Sequence, residues 1–324
     1  MTTLVTGAGG FLGGHICRRL RVSGQAVRGF DLAYPGRRHD DDVVGSILEP
    51  ETLRPAFEGV TGVIHAAALA QLWVPGRFDY DRVNGVGTCR VLAEARRVGA
   101  KLVYVSSYTT LIGRDMTCNV VLDETVEIVP NRLCGRYPRS KRQAELFVQA
   151  AAEAGQDACI VMPTAPVGLG DHNLTPPSAM IRDLTLGRIP ALLECQLDMV
   201  DIEAVADAVI AALEHGLSGE RYLLSGETIQ LSDLANQIAG ISGQAAPKAK
   251  VPLWLALGAA RGEAAISRFT KRSPKAPLTG VRLAARPARF SSEKAREAFG
   301  FAPRPLAEIL PEAIEWLTKH PDQS

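Results

Sequence analysis

Short apolar segments alternate with amphipathic segments along the first half of the chain. Segments of this length that are rich in β-branched residues and bounded by turn residues are typical of buried strands. Strands are predicted at Thr3–Val5, Gln25–Asp31, Val43–Val44, Val63–Ala68 and Leu102–Val105. Helices are predicted after the first strand, at Pro50–Phe57 and at Val86–Val98. This alternation predicts an α/β fold, a Rossmann-type doubly wound parallel sheet.

Two segments of the second half have apolar residues at helical spacing. Met199–Asp201 followed by Ile202–Leu213 is expected to return to the first domain as a strand and a helix. Leu253–Ala265 is a further apolar helical stretch. We expect it to pack in the core, because such stripes usually face inward; the alternative is that it lines an apolar substrate mouth.

A glycine-rich turn, residues 6–14, follows the first predicted strand. Gly7 would let the chain turn sharply, Gly10 would leave room for a ligand at the backbone, and Gly13 would let the next helix pack closely on the sheet. The N–H groups that begin this helix would then face two phosphates. The spacing predicts a dinucleotide pyrophosphate site; a glycine loop without a ligand is the alternative.

Asp31 ends the second predicted strand, 18 residues after Gly13. A carboxylate at this place accepts hydrogen bonds from the adenosine ribose and repels a 2′-phosphate, so NAD is expected rather than NADP. Arg28, Arg37 and Arg38 lie close in sequence and keep NADP open as the alternative. A surface aspartate in a loop is the other alternative.

The small residues Ala66, Ala67 and Ala68 stand at the carboxyl end of a predicted strand. Parallel sheets bind ligands at that edge, and small side chains would let a flat cofactor lie against the backbone. We expect His65, next to them, to be a packed or hydrogen-bonded core residue and not a catalyst.

Tyr137 and Lys141 are four residues apart, which places them on one face of a helix. An ammonium beside a phenol would lower the pKa of the phenol toward the working pH, so that Tyr137 could exchange a proton with a substrate oxygen. Such a pair alone is common on exposed helices. It becomes specific together with the glycine-rich turn and a strand that ends in Ser106-Ser107.

The composition is that of an ordinary globular protein. The chain has 324 residues, is 46% hydrophobic and carries a formal net charge of +1 without a long charged run. Neither a nucleic acid nor an anionic membrane is therefore expected as a partner. The N-terminus shows no secretion signal and no apolar run reaches bilayer length, so we expect a cytoplasmic protein without a membrane span.

Six cysteines are scattered along the chain without the spacing of metal ligands. No metal site is expected, and the cysteines are interpreted as free thiols in a reducing cytoplasm. They are Cys17, Cys89, Cys118, Cys134, Cys159 and Cys195.

In these motifs the chain resembles the extended branch of the short-chain dehydrogenase/reductase superfamily. Residues 6–13 match the TGxxGFxG pattern of that branch, and residues 137–141 match its YxxSK pattern. The blocks at 65–68, 84–88 and 103–107 match intervening family blocks. The second half is similar to dihydroflavonol-4-reductase-like proteins and to the hopanoid-associated sugar epimerase-like group, at residues 163–171, 175–177, 219–227, 277–282 and 303–305.

The resemblance implies a role for each matched residue. Ser107 would hydrogen-bond the substrate oxygen, Tyr137 would be the acid/base, and Lys141 would also hold the nicotinamide ribose. Asn84 resembles the structural asparagine of the family. The residues expected to bind the cofactor are Gly7, Gly10, Phe11, Leu12, Gly13, Asp31, Ser46, Ile47, Ala66, Ala67, Ala68, Tyr137, Lys141, Pro163 and Val167. At Ser46 the chain departs from the family, which has aspartate in this contact with the adenine.

We therefore expect an NAD(P)-dependent oxidoreductase that transfers a hydride between nicotinamide and a secondary alcohol or ketone of a small molecule. The alternatives are a nucleotide-sugar epimerase or dehydratase that retains NAD, and a non-catalytic NAD-binding protein. Dehydration is less favoured, because Tyr108 and Thr109 follow Ser107 where an acidic pair would be needed.

The resemblance also implies the division of the chain and its assembly. Residues 1–165 are expected to form the dinucleotide-binding domain, to which 198–225 return. Residues 166–197 and 226–324 are expected to form the substrate-binding lobe. A homodimer is implied, through helices near 86–98 and 138–152.

Overall fold

The computed structural model describes residues 2–36, 38–76, 79–116, 120–274 and 276–320. The strands are β1 (Thr2–Thr6), β2 (Ala26–Asp31), β3 (Val43–Val44), β4 (Val60–His65), β5 (Lys101–Val105), β6 (Val120–Leu122), β7 (Ala158–Pro163), β8 (Ala165–Val167), β9 (Ala191–Leu193), β10 (Gln196–Asp201), β11 (Arg221–Leu224), β12 (Glu227–Gln230), β13 (Ala249–Val251) and β14 (Ala288–Phe290).

The α-helices are α1 (Phe11–Val22), α2 (Pro50–Ala56), α3 (Thr88–Val98), α4 (Arg136–Glu153), α5 (Pro176–Thr185), α6 (Ile202–His215), α7 (Leu231–Ser242), α8 (Leu253–Thr270), α9 (Leu278–Ala284), α10 (Glu293–Phe299) and α11 (Leu306–Lys319). A π-helical segment, Asp81–Gly87, runs into α3, and short 3₁₀ turns lie at Tyr108–Leu111 and Pro130–Arg132.

The main sheet has seven parallel strands in the order β11-β7-β5-β4-β1-β2-β3. One apolar layer packs α2, α3 and α4 on one face, and a second layer packs α1, α6 and α10 on the other. The strand order reverses between β1 and β4, which is where a doubly wound sheet binds its ligand. The predicted Rossmann-type fold is confirmed.

Two predicted elements differ from the structure at their ends. The strand expected at Val63–Ala68 is β4, which ends at His65, so the three alanines form the loop after the strand. The helix expected at Val86–Val98 starts earlier, in the π-helical segment. The Asn84 carbonyl in this segment accepts a 2.7 Å hydrogen bond from the hydroxyl of Thr88, the first residue of α3.

The strand expected at Met199–Asp201 lies within β10, which pairs with β8 and β12 in a separate three-stranded sheet. The part of this segment that packs on the main sheet is α6, and β11 adds the outermost strand. A third apolar layer joins β8, β9 and β10 with α5, α7 and α11. The division of the chain into two domains stays a prediction.

Helix α8 is longer than expected and is not a core helix. The prediction that Leu253–Ala265 packs inward is wrong, because only Ala260 and Ser267 of α8 are buried. Trp254 and Phe269 are 74% and 88% exposed. Apolar periodicity identified the helix correctly but could not tell which side of it meets the protein.

The described cysteines, Cys17, Cys89, Cys134, Cys159 and Cys195, are free thiols. Cys118 and Arg37 lie outside the described residues. Within the described ranges, no group of acidic, histidine and cysteine side chains could hold a metal ion. None of the described helices combines the length and the hydropathy that crossing a bilayer requires.

Candidate active site

The glycine-rich turn joins β1 to α1 and leaves no room for a Cβ at Gly7 or Gly13. Gly7 has a φ of +76°, and a Cβ there would lie 2.6 Å from the backbone N of Ala67. A Cβ on Gly13 would lie 2.0 Å from the carbonyl oxygen of Gly7. The close contact of Gly13 is therefore with the turn itself, where the sequence predicted a contact with the sheet. A Cβ on Gly10 would lie 3.1 Å from the same oxygen.

The start of α1 offers unpaired N–H groups to a ligand. Gly10 is the N-cap and supplies no side-chain acceptor. The backbone N–H groups of Phe11, Leu12 and Gly13 have no acceptor among the described residues. Three free donors, the positive end of a helix and the glycines at positions 7, 9, 10 and 13 fit the pyrophosphate of a dinucleotide.

The carboxylate of Asp31 lies against the glycine turn. Its Oδ2 accepts a 2.9 Å hydrogen bond from the N–H of Gly9, and its Oδ1 accepts one of 2.6 Å from the N–H of Leu32. Burial raises the pKa of Asp31, and these hydrogen bonds offset part of the rise. Gly9 was not among the predicted site residues, although a Cβ there would lie 2.1 Å from the carbonyl oxygen of Ala33.

One of the nearby arginines is engaged elsewhere. Arg28 donates hydrogen bonds of 2.8 Å to the carbonyl oxygens of Ala56 and Glu58, so its guanidinium is held away from the end of β2. Arg38 is exposed. Asp31 is therefore hydrogen-bonded to the glycine turn, whereas the guanidinium of Arg28 is directed to other backbone carbonyls.

The other predicted cofactor residues follow neighbouring strands of the main sheet. Ser46 and Ile47 follow β3, Ala66–Ala68 follow β4, and Pro163 ends β7. The carboxyl ends of parallel strands share one edge, so these residues border the same cleft as the glycine turn. Val167 is different, since it ends β8 in the second sheet and its side chain is fully buried. Only its backbone is available to a ligand.

His65 is a core residue, as expected. Its Nε2 lies 3.0 Å from the Thr88 hydroxyl, which gives its own proton to the Asn84 carbonyl. Nε2 therefore donates, and Nδ1 accepts a 2.7 Å hydrogen bond from the Thr6 hydroxyl. Burial, and next the charge of Lys141, lower the pKa of His65 to about 3. A neutral imidazole thus ties β1 and β4 to the first residue of α3.

Asn84 joins the loop after β4 to the helix that carries Tyr137. Its amide exchanges hydrogen bonds with the backbone of Leu69, at 2.8 and 3.2 Å, and donates one of 2.9 Å to the Ser140 hydroxyl. Ser140 in turn donates to the carbonyl oxygen of Tyr137 at 2.8 Å. These contacts fit the structural asparagine that the resemblance implied.

Ser107 and Tyr137 meet just beyond the end of β5. Ser107 Oγ accepts hydrogen bonds from Thr109, at 3.0 Å from Oγ1 and 3.3 Å from the backbone N. Both interactions use lone pairs, which leaves the Ser107 proton free to be donated. The pKa of Tyr137 is raised by burial, and a hydrogen bond with Ser107 lowers it in part.

Lys141 reaches the same strand end from the next turn of α4. Its Nζ donates a 2.6 Å hydrogen bond to the carbonyl oxygen of Val105 and lies 4.5 Å from the centre of the Tyr104 ring. Burial lowers the pKa of Lys141 to about 7, against an opposing effect of Glu145. The sequence predicted that Lys141 lowers the pKa of Tyr137. In the structure the Lys141 ammonium is directed to a backbone carbonyl, and burial of the Tyr137 phenol raises its pKa.

Glu145, which sequence reasoning did not single out, is fully buried one turn beyond Lys141. Its Oε1 accepts hydrogen bonds from the hydroxyls of Ser106 (2.5 Å) and Thr110 (2.8 Å). Its Oε2 pairs with Arg142 at 2.8 Å and Arg221 at 3.4 Å. The sequence does place Glu145 four residues after Lys141, which is the spacing of an ion pair on a helix. Many exposed pairs of charged residues on helices have the same spacing, so it could not show that Glu145 is buried.

The fold and the glycine turn have counterparts in known proteins. The model of the NAD dependent epimerase/dehydratase family matches residues 3–225. The chain belongs to this family. Because the family uses NAD, the match agrees with the free N–H groups at the start of α1.

Two relatives cover nearly the whole chain. A Synechocystis protein named "Putative dihydroflavonol 4-reductase" is 32% identical over 98% of this chain and 94% of its own length. A protein of Methylococcus capsulatus named "Sterol demethylase protein B" is 29% identical over 98% of each chain.

Solved structures share the fold. The crystal structure of gox2253 is 33% identical, covers 98% of each chain and superposes with a TM-score of 0.84. UDP-glucose 4-epimerase from Thermus thermophilus, solved with NAD, is 21% identical with a TM-score of 0.79 over 98% of this chain and 99% of its own. That second likeness concerns the fold alone.

Proposed function

We propose that this protein is an extended short-chain dehydrogenase/reductase that moves a hydride between NAD(H) and a secondary alcohol or ketone of a small molecule. The observation that carries the proposal is the meeting of Ser107, Tyr137 and Lys141 at the end of β5, on the sheet edge that also holds the glycine turn. A proton donor, an oxygen-binding hydroxyl and a dinucleotide cradle at one edge are the parts that carbonyl reduction requires.

In reduction, the phenol of Tyr137 gives its proton to the substrate oxygen as negative charge develops there. Burial supports this direction, because it raises the pKa of Tyr137 and keeps the phenol protonated. Ser107 donates a second hydrogen bond to the same oxygen, since Thr109 occupies its lone pairs. Alcohol oxidation reverses these steps.

The cofactor-binding residues of this proposal are those around the turn. The free N–H groups of Phe11, Leu12 and Gly13 would hold the pyrophosphate, Asp31 would hold the adenosine ribose, and Lys141 would hold the nicotinamide ribose. When bound, the nicotinamide supplies or accepts the hydride.

Asp31 favours NAD over NADP in this scheme. It is close to Gly9, burial already raises its pKa, and Arg28 is directed to backbone carbonyls. A 2′-phosphate would meet a carboxylate without a facing guanidinium from Arg28. Titration should give at least tenfold tighter binding of NADH than of NADPH, and Asp31→Asn should reduce the ratio. Equal affinities in the wild type would remove Asp31 from this role.

A nucleotide-sugar epimerase that retains NAD is the second candidate, because the family includes epimerases by name. Dehydration has less support, since Tyr108 and Thr109 follow Ser107 where an acidic pair would be needed, and Thr109 is hydrogen-bonded to Ser107. A non-catalytic NAD-binding protein is the third candidate, and the intact Ser107, Tyr137 and Lys141 argue against it.

The deciding experiment offers the protein flavonoid-like, sterol-like and nucleotide-sugar compounds, each with NADH and with NADPH. A reductase consumes the reduced cofactor in proportion to product. An epimerase converts a nucleotide sugar without a steady change in NADH absorbance, and a non-catalytic protein binds NADH but converts nothing in the panel. The proposal expects the first result with a ketone.

The assembly is proposed as a homodimer through α3 and α4. Val86, just before α3, is 47% exposed, and Leu146 on α4 is 36% exposed. Apolar side chains at these places would be covered in a pair of chains. Light scattering should give twice the mass of one chain, and Leu146→Glu should give the single-chain mass.

The protein is also proposed to be cytoplasmic.

A further inference from the structure

Helix α8 presents its large apolar side chains to solvent. At about 100° per residue, Trp254, Leu255, Ile266 and Phe269 fall within about 120° of one another on the helix. They are 74%, 47%, 61% and 88% exposed, in that order. The opposite side of the helix meets the protein through Ala260 and the buried Ser267. The amphipathic pattern of α8 is thus reversed relative to a core helix, and its apolar side is left uncovered.

Charged residues of α8 lie outside this apolar arc. Glu263 is on the inward side, where its carboxylate accepts a 3.1 Å hydrogen bond from the backbone N of Ala276. Arg261 and Arg268 border the arc on the Trp254 side and are exposed. Neither arginine has an ion-pair partner in the described part of the chain. An apolar face edged by free guanidinium groups is typical of a helix that lies in a membrane interface.

The surrounding segment is strongly basic. Residues 246–292 contain ten lysines and arginines and one acidic residue, Glu263, which gives a net charge of +9. The whole chain carries +1, so the remainder carries −8. An anionic membrane was excluded above because the net charge of the whole chain is close to zero. That small net charge arises because a strongly basic segment is balanced by an acidic remainder. Lys271 and Arg272 continue the basic edge directly after the helix.

We propose that α8 docks this protein on the surface of an anionic lipid bilayer, with Trp254, Leu255, Ile266 and Phe269 in the headgroup region and the bordering arginines on lipid phosphates. Apolar burial and attraction to anionic lipids add in such an interface. A second copy of the chain would be the alternative cover for α8. It is disfavoured, because two segments of charge +9 would face each other.

The docking helix is connected to the candidate active site. Helix α8 packs against α9, and Thr279 of α9 lies against Gly135, the N-cap of α4. A Cβ on Gly135 would lie 2.4 Å from Thr279 Oγ1, and Gly135 is two residues before Tyr137. Helix α9 thus links the proposed docking helix to the start of α4, which carries Tyr137.

The test is flotation of the full-length protein with vesicles of phosphatidylcholine, alone or mixed equally with phosphatidylglycerol. The protein should float with the mixed vesicles and stay behind with phosphatidylcholine alone. Raising the salt concentration should reduce the bound fraction, because it screens the basic edge.

Two double variants separate the apolar and the ionic contributions. Trp254→Ser with Phe269→Ser, and Arg268→Glu with Arg272→Glu, should each lower the vesicle partition coefficient at least about tenfold. The matched controls are Val22→Ser, at a side chain 81% exposed, and Arg296→Glu, at an exposed arginine of α10. Both controls should float like the wild type, and all variants should keep the circular dichroism spectrum and NADH affinity of the wild type.

Three results would overturn the proposal. The first is no flotation with anionic vesicles, and the second is flotation that neither α8 variant reduces. The third is a lipid-free dimer in sedimentation velocity that Phe269→Ser dissociates, without vesicle binding, because a second copy would then cover α8. None of these results bears on hydride transfer, which is measured separately.

Discussion

The ammonium of Lys141 donates a 2.6 Å hydrogen bond to the carbonyl oxygen of Val105, the last residue of β5. This contact fastens the helix that carries Tyr137 to the strand that leads to Ser107. Because Lys141 is buried, the contact is made by a group whose pKa is lowered to about 7. The candidate site is therefore assembled around a lysine that loses its proton far more readily than a lysine in water.

That lowered pKa predicts how stability depends on pH. Between pH 7 and the ordinary pKa of lysine, the unfolded chain binds more protons at residue 141 than the folded chain, so the free energy of unfolding rises with pH in this window. Lys141→Met should remove a rise on the order of a few kcal/mol, at about 1.4 kcal/mol per pKa unit. Urea denaturation of both proteins at neutral and alkaline pH measures the difference. Parallel pH profiles would contradict the lowered pKa.

Two neighbouring glycines of α1 should respond oppositely to alanine. Gly13→Ala would place Cβ 2.0 Å from the Gly7 carbonyl oxygen, which must distort the turn and weaken NADH binding at least about tenfold. A Cβ on Gly14 would lie 3.6 Å from the Ala8 carbonyl oxygen, which is an ordinary contact. Gly14→Ala should therefore raise the free energy of unfolding by up to about 1 kcal/mol, because alanine has the higher helix propensity. Fluorescence titration and thermal unfolding check both. Equal effects of the two substitutions would show that the turn is not the constraint.

The buried carboxylate of Glu145 should be costly to neutralise. Glu145→Gln leaves Arg142 and Arg221 without their buried partner and should lower the free energy of unfolding by about 3–5 kcal/mol. Glu127→Gln is the matched control, since Glu127 also pairs with Arg142 but its side chain is 65% exposed. It should cost less than about 1 kcal/mol. A comparable loss for both variants would argue that burial of Glu145 is unimportant.

The sequence predicted structure correctly at positions where a single physical requirement explains the residue type. The glycine-rich turn could be predicted, because a positive φ and a close backbone approach leave room for nothing larger at Gly7. The core role of His65 could be predicted from its place within a buried strand. The alternation of short apolar strands with helices predicted the parallel sheet.

The remainder depends on contacts between distant parts of the chain. The spacing of Lys141 from Tyr137 indicated a shared helix face, but not that the ammonium binds Val105 in preference to the phenol. Glu145 has the spacing of a surface pair and could not be recognised as buried. The stripe of α8 has the periodicity of a core helix, and only the packing of its small residues against the protein reveals that its large residues face outward.

The central claim is that Tyr137 transfers the proton at the reacting oxygen, and the Tyr137→Phe variant tests it most directly. With a ketone that the wild type reduces, kcat of the variant should fall by about a hundredfold or more, because a general acid is lost. Its affinity for NADH should stay within about threefold of the wild type, since the phosphate-binding turn is untouched. A variant that binds NADH normally and reduces the ketone at the wild-type rate would contradict the claim.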